Sequence, residues 1–306
     1  MKVYKNLLSY LGILLCINAC GQNTNTNQSP PSLPSPAYSE EEFSAYWYSG
    51  KAEVASYQLT QSRYGELHEG SAVLIFVTEP FSKSKHVKLD DPRAAPKDEI
   101  TVMKLNFTKN FNTGIYPYSM MLSTFTPVDS YHHPHSLKAT MSGQEWCGHV
   151  FCQINLQKES YDVKSFSYFE KEGDEQFTLK KAWLEDEIWN KIRLNYKELP
   201  VGQFKMIPGL FYTRLSHTSL DPVDVSGTLT ENHDNFVYAL NLPKRTLKIV
   251  FDKTFPFQIL SWEETYSGIG GRTLTTTATL DKTLHIDYWS RHGVGDSYLR
   301  DSLNLK

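Results

Sequence analysis

The stretch Met103-Lys104-Leu105-Asn106-Phe107-Thr108 alternates large apolar side chains with polar ones. Successive side chains of a β-strand point to opposite faces of a sheet, so the pattern places one face in a core and the other in water. It predicts a half-exposed antiparallel strand. On its N-terminal side, the apolar run from Ala72 to Val77 predicts a fully buried strand, and strand character resumes on its C-terminal side from Ile115 to Phe125.

The C-terminal third of the chain contains further short strand patterns separated by turn residues. Pro243, Pro256 and the glycines between residues 268 and 271 lie between these patterns, as expected for turns of an antiparallel meander. The predicted strands of this five-strand meander are residues 236–242, 246–252, 258–267, 272–280 and 283–290.

One later stretch, Lys180 to Lys197, is predicted to be helical. Its apolar residues Leu184, Ile188, Trp189 and Ile192 form one stripe at helical spacing, and Pro200 follows closely. Such a stripe needs an apolar surface to cover, and a curved sheet is the large one available.

The predicted fold class is therefore mainly β with minor α. We expect a large antiparallel curved sheet, or an open half-barrel, with one amphipathic helix. The domain would cover residues 40–306, with β halves at 45–179 and 200–292 joined through the helix 180–197.

Composition agrees with a large β-rich domain. The chain has 18 Tyr, 16 Phe and 6 Trp, and aromatic rings pack well on a pleated, half-buried surface. Its 306 residues exclude a small disulfide-dense scaffold. With 31 basic residues against 34 acidic ones, nucleic acid is an unfavourable partner.

The N-terminus has the pattern of a lipoprotein signal. Lys2 and Lys5 precede an apolar run from Leu7 to Ile17, and Ile17-Asn18-Ala19-Cys20 resembles a lipobox. A run of about a dozen apolar residues is shorter than the roughly 20 needed to span a bilayer. We expect residues 1–19 to be a cleaved signal peptide and Cys20 to be diacylated, an uncleaved anchor being the alternative. This predicts a membrane-anchored protein of the bacterial cell envelope, facing the periplasm.

Residues 20–39 are predicted to be a disordered linker after the lipidated cysteine. The segment from Gly21 to Ser39 has no charged residue and carries prolines at positions 30, 31, 34 and 36. Ser39 followed by Glu40, Glu41 and Glu42 indicates a helix N-cap with acidic residues in the first turn, where the helix dipole favours them.

Two interpretations are open for the segment Trp146 to Leu156, in which apolar or small residues occupy the even positions. A continuous strand would put Cys147 and Cys152 on opposite faces, about 16 Å apart, which no disulfide spans. A hairpin with residues 148–151 as its loop would bring the two cysteines together, and an oxidising compartment would favour their disulfide.

On the continuous strand, Glu145, Cys147 and His149 would share one face. A thiolate needs a nearby base or cation near neutral pH, and His149 oriented by Glu145 would supply it. These three residues are the candidate catalytic cluster. The alternative is that Glu145 and His149 are solvated and Cys147 is a small packing residue.

The loop Tyr131-His132-His133-Pro134-His135 carries three imidazoles, and histidine is a frequent metal ligand. His132, His133 and His135 are therefore candidate metal ligands. Their spacing matches no recognised Cys/His framework, and surface histidines are the alternative.

Four stretches are similar to a family of uncharacterised bacterial envelope lipoproteins whose members often carry the label "septum formation inhibitor Maf". They are residues 46–53 (YWYSGKAE), 74–79 (LIFVTE), 114–118 (GIYPY) and 144–148 (QEWCG). The resemblance implies an envelope lipoprotein and brings no activity or ligand. True Maf pyrophosphatases have a Ser-x-Ser-Pro-Arg-Arg signature, which this sequence lacks. The late meander is also similar to lipocalins and periplasmic lipoprotein carriers, whose curved sheets bind acyl chains.

The sequence has no Gly-x-Ser-x-Gly, Walker A or His-Glu-x-x-His motif. We therefore expect a non-catalytic envelope protein, without a cofactor, that binds an apolar ligand or an envelope partner on the concave face of its sheet. Its partners would be the membrane, through Cys20, and a lipid or envelope protein. The alternative is a thiol- or metal-dependent enzyme centred on Cys147 and His149.

Overall fold

The computed structural model describes residues 35–267 and 273–305. The predicted signal peptide, residues 1–19, and the predicted lipidation site, Cys20, lie outside these residues. The helices are α1 (Glu40–Trp47), α2 (Ile188–Asn195), α3 (Leu210–Ser216) and α4 (Tyr298–Ser302). The strands are β1 (Ala52–Arg63), β2 (Glu66–Ser82), β3 (Val87–Lys88), β4 (Glu99–Thr113), β5 (Tyr116–Pro127), β6 (Lys138–Glu145), β7 (Gly148–Leu156), β8 (Ser160–Ser167), β9 (Glu175–Lys180), β10 (Trp183–Leu184), β11 (Gly202–Ile207), β12 (Val223–Glu231), β13 (Asn235–Leu242), β14 (Arg245–Asp252), β15 (Ile259–Ser267) and β16 (Thr273–Ile286).

The 16 strands of the described residues form one sheet. Its order is β10-β11-β12-β13-β14-β15-β16-β1-β2-β4-β5-β6-β7-β8-β9, with β3 paired to β2. Neighbours are antiparallel except β10 and β11, which are parallel. The prediction of a mainly β protein built on a large, curved and unclosed antiparallel sheet is confirmed. The two predicted β halves are parts of a single sheet, because β1 pairs with β16.

The two edges of the sheet come close together at one point. Strand β9 at one edge ends at Lys180, and β10 at the other edge begins at Trp183. Three consecutive Cα–Cα steps span at most about 11 Å. The sheet therefore curls until its edges approach each other there, without closing. We call the gap between β9 and the opposite edge the seam.

The predicted alternation of buried and exposed side chains is present in the centre of the sheet. Leu74 of β2 pairs with Phe107 of β4, and Phe76 pairs with Leu105. All four side chains are buried. Each such side chain contributes about 1.5–3 kcal/mol by leaving water, so these two strands anchor the core that fills the hollow of the sheet.

The predicted helix 180–197 is wrong in its bounds. Helix α2 covers only Ile188–Asn195, and a 3-10 turn over Glu185–Glu187 precedes it. The apolar stripe from Leu184 to Ile192 is buried as predicted, yet all eight residues of α2 are buried. The polar residues of α2 are therefore buried as well as its apolar stripe, because the helix lies inside the hollow of the sheet.

A buried ion pair ties α2 to β1. Arg193 of α2 donates from Nη1 and Nη2 to the two carboxylate oxygens of Glu53, at 2.5 and 2.6 Å. Tyr46 Oη also donates to Glu53, at 2.6 Å, and Arg193 Nε donates to the carbonyl oxygen of Pro256 at 2.8 Å. Burial by itself would raise the pKa of Glu53, but Arg193 holds it below its usual value. Both charges are therefore compensated inside the core.

The predicted meander differs from the structure at its C-terminal end. Segments 272–280 and 283–290 are one strand, β16, followed by a 3-10 turn at Tyr288–Ser290. The strand continues past Asp281 because the register shifts by one residue there: Ser56 pairs with Lys282, and Tyr57 pairs with Leu280. Strands β11 and β12, which precede the meander, were not predicted.

The start of the domain agrees with the N-cap prediction. Ser39 Oγ accepts a hydrogen bond from the Glu42 backbone at 3.1 Å, and the Glu42 carboxylate accepts from the Ser39 backbone at 2.8 Å. The predicted linker ran to Ser39, but the ring of Tyr38 already packs 5.3 Å from that of Phe43 and 5.0 Å from that of Phe255. The folded body therefore begins before Ser39.

Candidate functional site

Alternate turns of an antiparallel sheet lie at the same end of the strands. The turns after β1, β4, β6 and β8 therefore share one end of this sheet, which we call the mouth. Helix α3 lies inside the mouth: Leu210 and Phe211 are buried, and the Phe211 ring is 5.2 Å from that of Phe107. The helix ends at His217, whose backbone is left-handed with φ of 51°.

Arg214 of α3 joins two carboxylates of the mouth. It donates to Glu145 of β6 from Nη2 and to Glu172 from Nη1, the latter at 3.3 Å. His217 Nδ1 lies 2.6 Å from the same Glu172 oxygen. Burial alone would raise the pKa of Glu172, but hydrogen bonds from Ser167 and His217 and the charge of Arg214 lower it. Arg214 is thus neutralised by its own protein.

The interpretation of Glu145, Cys147 and His149 as one catalytic face is wrong. Glu145 pairs directly with Gly148, so Trp146 and Cys147 form a two-residue turn. Odd positions point inward before this turn, and even positions point inward after it, as the buried Val150 and Cys152 show. Glu145 therefore points into the mouth, whereas His149 is exposed on the outer face.

The predicted alternatives for the cysteines are both wrong about the turn. Strand β7 is continuous from Gly148, so neither a strand through Cys147 nor a loop at residues 148–151 is formed. Cys147 is exposed in the turn and Cys152 is buried, and both are free. The disulfide considered in the hairpin alternative is therefore not formed. Burial raises the pKa of the Cys152 thiol to about 12.

The three histidines proposed as metal ligands have separate surroundings. His132 Nδ1 lies 2.7 Å from the Asp129 carboxylate, whereas His135 Nδ1 lies 3.1 Å from the Glu187 carboxylate. Across residues 35–267 and 273–305, no group of three His, Cys, Asp or Glu side chains is placed to hold a metal ion. The geometry does not support the metal interpretation of His132, His133 and His135.

The hollow of the sheet is filled. The rings of Phe107, Trp189 and Trp262 lie 5.2–5.3 Å from one another, and the buried α2 completes the packing. A ligand at the centre of the concave face would have to displace this core. Open space lies at the mouth instead.

A cavity with a volume of about 660 Å³ lies beside the seam. It is bounded by the edge strand β9, by the inner faces of β7 and β8, and by residues 217–221 after α3. We call it the seam cavity. Its floor is apolar, with Met141, Val150, Phe177, Leu210 and Leu220, and its rim carries Glu172, Arg214 and His217.

Two further cavities of about 520 and 410 Å³ lie on the other side of α3. Arg63, Tyr64 and His217 line both of them. Glu145 and Cys147, which were predicted site residues, line the larger one. Arg63, Glu172, Arg214 and His217 were not predicted, because each is an isolated polar residue without a motif around it.

The fold and these cavities define a β-rich protein with ligand-sized cavities at one end of a large unclosed sheet. No family model and no curated protein matches the chain. A solved structure, a beta-barrel-like protein of the domain of unknown function DUF1849 from Brucella abortus, shares 10% identity and a TM-score of 0.46, covering 78% of this chain and 98% of that one. A likeness at that level assigns no function here. None of the helices in the described residues is long and apolar enough to cross a membrane.

Proposed function

We propose that this protein is a non-catalytic, lipid-anchored protein of the bacterial envelope that binds an amphipathic small molecule in the seam cavity. The observation that supports this is the cavity itself, with a volume of about 660 Å³, an apolar floor and a polar rim. Ligand pockets of drug-sized molecules usually measure about 300–1,000 Å³ and combine apolar walls with a few polar groups.

The floor favours the apolar part of such a ligand. Met141, Val150, Phe177, Leu210 and Leu220 come from three strands and from α3 with the segment after it. Covering apolar area contributes about 25 cal/mol for each Å² removed from water. An acyl chain or a ring system would gain from this contact.

The rim favours a polar head group. Glu172, Arg214 and His217 hold one another at 2.6–3.4 Å, which fixes their positions before a ligand arrives. Pre-positioned polar groups orient a ligand at a low entropic cost. The head group would lie at the rim, next to solvent, with the apolar part on the floor.

Thiol chemistry is the alternative function, and the mouth gives it less support. Cys147 is at the mouth, but the imidazole that was expected to activate it projects from the outer face of β7. The anchor is supported by sequence alone: Lys2, Lys5, the apolar run from Leu7 to Ile17, and Cys20.

The binding proposal is tested by filling the seam cavity. Ser165 lines it from β8, and the adjacent Lys164 is exposed on the outer face of the same strand. We expect Ser165→Trp to abolish binding of N-phenyl-1-naphthylamine, which fluoresces in apolar surroundings, and to remove any amphiphile seen by native mass spectrometry of protein purified from its own envelope. Lys164→Trp is the matched control and should behave like the parent. A parent that binds neither molecule, or a Ser165→Trp variant that binds both, would contradict the proposal.

A further inference from the structure

Hairpin turns at the mouth present large apolar or aromatic side chains to solvent. Tyr64 in the turn after β1 is 62% exposed, Ile115 in the turn after β4 is 83% exposed, and Trp146 in the turn after β6 is 66% exposed. Tyr168, directly after β8, is 70% exposed. One exposed apolar residue is ordinary, but one at each successive turn of the same end forms a patch. We call these four residues the mouth tips.

The first three of these turns carry no charge at their two central positions, which are Tyr64-Gly65, Gly114-Ile115 and Trp146-Cys147. The opposite end of the same strands differs. There, the turn after β7 contains Lys158 and Glu159, and the loop 83–98 after β2 is rich in Lys and Asp. Turns that face water are usually polar, so the contrast indicates that the mouth tips face a less polar partner.

The three turns lie at one level of the curled sheet. One row of paired residues crosses the strands below them: Leu59, Gly70, Phe111, Tyr118 and Glu145. Tyr64 lies five positions beyond this row, Gly114 three and Trp146 one. Neighbouring turns are two strands apart, about 10 Å, and two positions along a strand are about 6.6 Å. This slope is that of strands tilted by about 35°, as in β-barrels.

Contacts behind the tips hold them in their exposed positions. The backbone nitrogen of Cys147 donates to Tyr116 Oη at 2.8 Å, and the ring of Trp146 lies 6.1 Å from that of Tyr116. The Tyr168 ring covers Gly148, where a Cβ would lie only 2.5 Å from it. Side chains that are already held in place lose little conformational entropy when they bind a partner.

The separation of the tips favours a lipid surface as that partner. The cavity of about 520 Å³ opens between the three turns and is lined by Tyr64, Gly114 and Cys147. A protein would need a matching pocket for each separate tip, whereas fluid lipid surrounds each one without a pocket. Trp and Tyr also concentrate at membrane–water interfaces, because each combines an apolar ring with a polar group.

The length of the chain before the described residues also favours a membrane. Residues 20–34 are fifteen residues, which span at most about 50 Å. Strand β1, which runs from the end near Ser35 to the mouth, has 12 residues and a length of about 40 Å. A bilayer that holds an acylated Cys20, as proposed above, is therefore within reach of the mouth.

We propose that the mouth docks directly on a lipid bilayer, with Ile115 and Trp146 inserted into its interfacial region and Tyr64 beside them. The insertion is shallow, because the exposed Glu170 and Asp174 follow Tyr168 and stay in water. The proposed anchor is part of the support, but the contact itself needs neither the acyl group nor a ligand in the seam cavity. Docking in this way places the openings of the cavities at the lipid surface.

The test is flotation of the mature chain, residues 20–306, with lipid vesicles. The chain is made without the predicted signal peptide, so that Cys20 is not acylated and failure of the anchor does not affect the result. We expect binding to phosphatidylcholine vesicles and, within about threefold, to vesicles with equal parts of phosphatidylglycerol, because the tips are uncharged. Binding to neither, or to the anionic vesicles alone, would overturn the proposal.

Trp146→Ala should weaken vesicle binding about tenfold, because an aromatic ring no longer leaves water. Tyr131→Ala is the matched control, since Tyr131 is 61% exposed in the loop between β5 and β6 at the opposite end. It should bind vesicles like the parent. Parent affinity in Trp146→Ala, or an equal loss in Tyr131→Ala, would contradict the assignment.

Ile115→Asp tests the same surface at a second turn. A carboxylate there should weaken vesicle binding about tenfold or more, because charge is excluded from lipid. The melting temperature should stay at the parent value, since the side chain is exposed. Val294→Asp is the matched control, because Val294 is 96% exposed and follows the end of β16 that is opposite the mouth. Parent affinity in Ile115→Asp would count against docking by the mouth.

Fluorescence with brominated acyl chains shows which surface touches the lipid. In a Trp289→Phe background, we expect Trp146 emission to be quenched by these lipids, because bromine quenches only tryptophans that contact the bilayer. Flotation without quenching would assign binding to another surface. Light scattering without lipid should give a monomer; a dimer that Trp146→Ala dissociates would assign the tips to a second copy and overturn the proposal.

Discussion

Two cysteines that are five positions apart have opposite surroundings. Cys147 is exposed in the turn between β6 and β7, and its backbone nitrogen donates to Tyr116 Oη at 2.8 Å. Cys152 is buried on the inner face of β7 and lines the floor of the seam cavity. Thiol reactivity depends on thiolate content and access, so the two residues should differ in both respects.

With a thiol-reactive probe at pH 8, we expect rapid labelling of Cys147 and labelling of Cys152 only after unfolding. Burial raises the pKa of the Cys152 thiol to about 12, which leaves very little thiolate at pH 8. His149→Ala should leave the Cys147 rate unchanged, because His149 is exposed on the outer face. Peptide mass spectrometry after timed quenching measures both rates. A slower Cys147 reaction in His149→Ala would restore the catalytic interpretation of this cluster.

At the scale of elements, the acidic turn before α2 holds the start of α3. Gly209 and Leu210 donate their backbone N–H groups to Glu185 and Asp186, at 3.0 and 3.1 Å. A Cβ at Gly209 would lie 2.7 Å from the Glu185 carboxylate, so a side chain there would push this carboxylate out of its present position. Because α3 carries Arg214 and His217, this attachment positions the mouth.

The pH dependence of stability should report the state of Asp186. Burial, followed by the charge of Glu185, raises the pKa of Asp186 to about 8 from 3.8. The folded state therefore keeps a proton that the unfolded chain releases, and the free energy of unfolding should fall as pH rises from about 4 to about 8. Asp186→Asn should reduce this slope, since the amide oxygen still accepts from Leu210.

Urea denaturation of parent and Asp186→Asn between pH 5 and 8 measures the difference in slope. The other charged groups near Asp186, namely Glu185, Glu187, Arg245 and Lys109, are present in both proteins, so the comparison measures the effect of replacing Asp186 among them. Asp174→Asn, in an exposed turn, controls for the loss of one negative charge. Parallel curves for parent and Asp186→Asn would show that Asp186 does not hold this proton.

At the scale of the whole molecule, the first strand, β1, lies in the centre of the sheet, and the two edge strands, β9 and β10, come from the middle of the sequence. Strand β1 follows α1 and runs to the turn at Tyr64 in the mouth. The described N-terminal residues therefore lie at the opposite end of the sheet. Lys197 Nζ donates to the carbonyl oxygen of Ser35 at 3.1 Å there. The first described residues therefore lie at the end of the sheet away from the mouth.

We expect Cys20→Ala to move the protein from the membrane to the soluble fraction and to abolish incorporation of labelled palmitate. The acyl chains on Cys20 would supply the membrane affinity, at about 0.8 kcal/mol for each buried CH₂ group. Cys16→Ala is the matched control, because Cys16 belongs to the predicted signal peptide. Detergent partitioning and palmitate labelling of Cys20→Ala equal to those of the parent would show that the anchor assignment is wrong.

The sequence alone was enough to identify the β class, most of the central strands and the cap at Ser39. These features are local, because side-chain alternation and capping depend on residues within a few positions of one another. Glu145 and Cys147, which the sequence suggests as site residues, both line a cavity at the mouth. His149 was misplaced because a turn of two residues exchanged the inward and outward positions.

The tertiary structure alone decided the pairing of β1 with β16, the approach of the two edges and the residues that meet in the cavities. Arg63 reaches Leu215 across 152 positions, and Arg193 reaches Glu53 across 140. No periodicity links residues so distant, because their contact depends on how the whole sheet curls around α2 and α3.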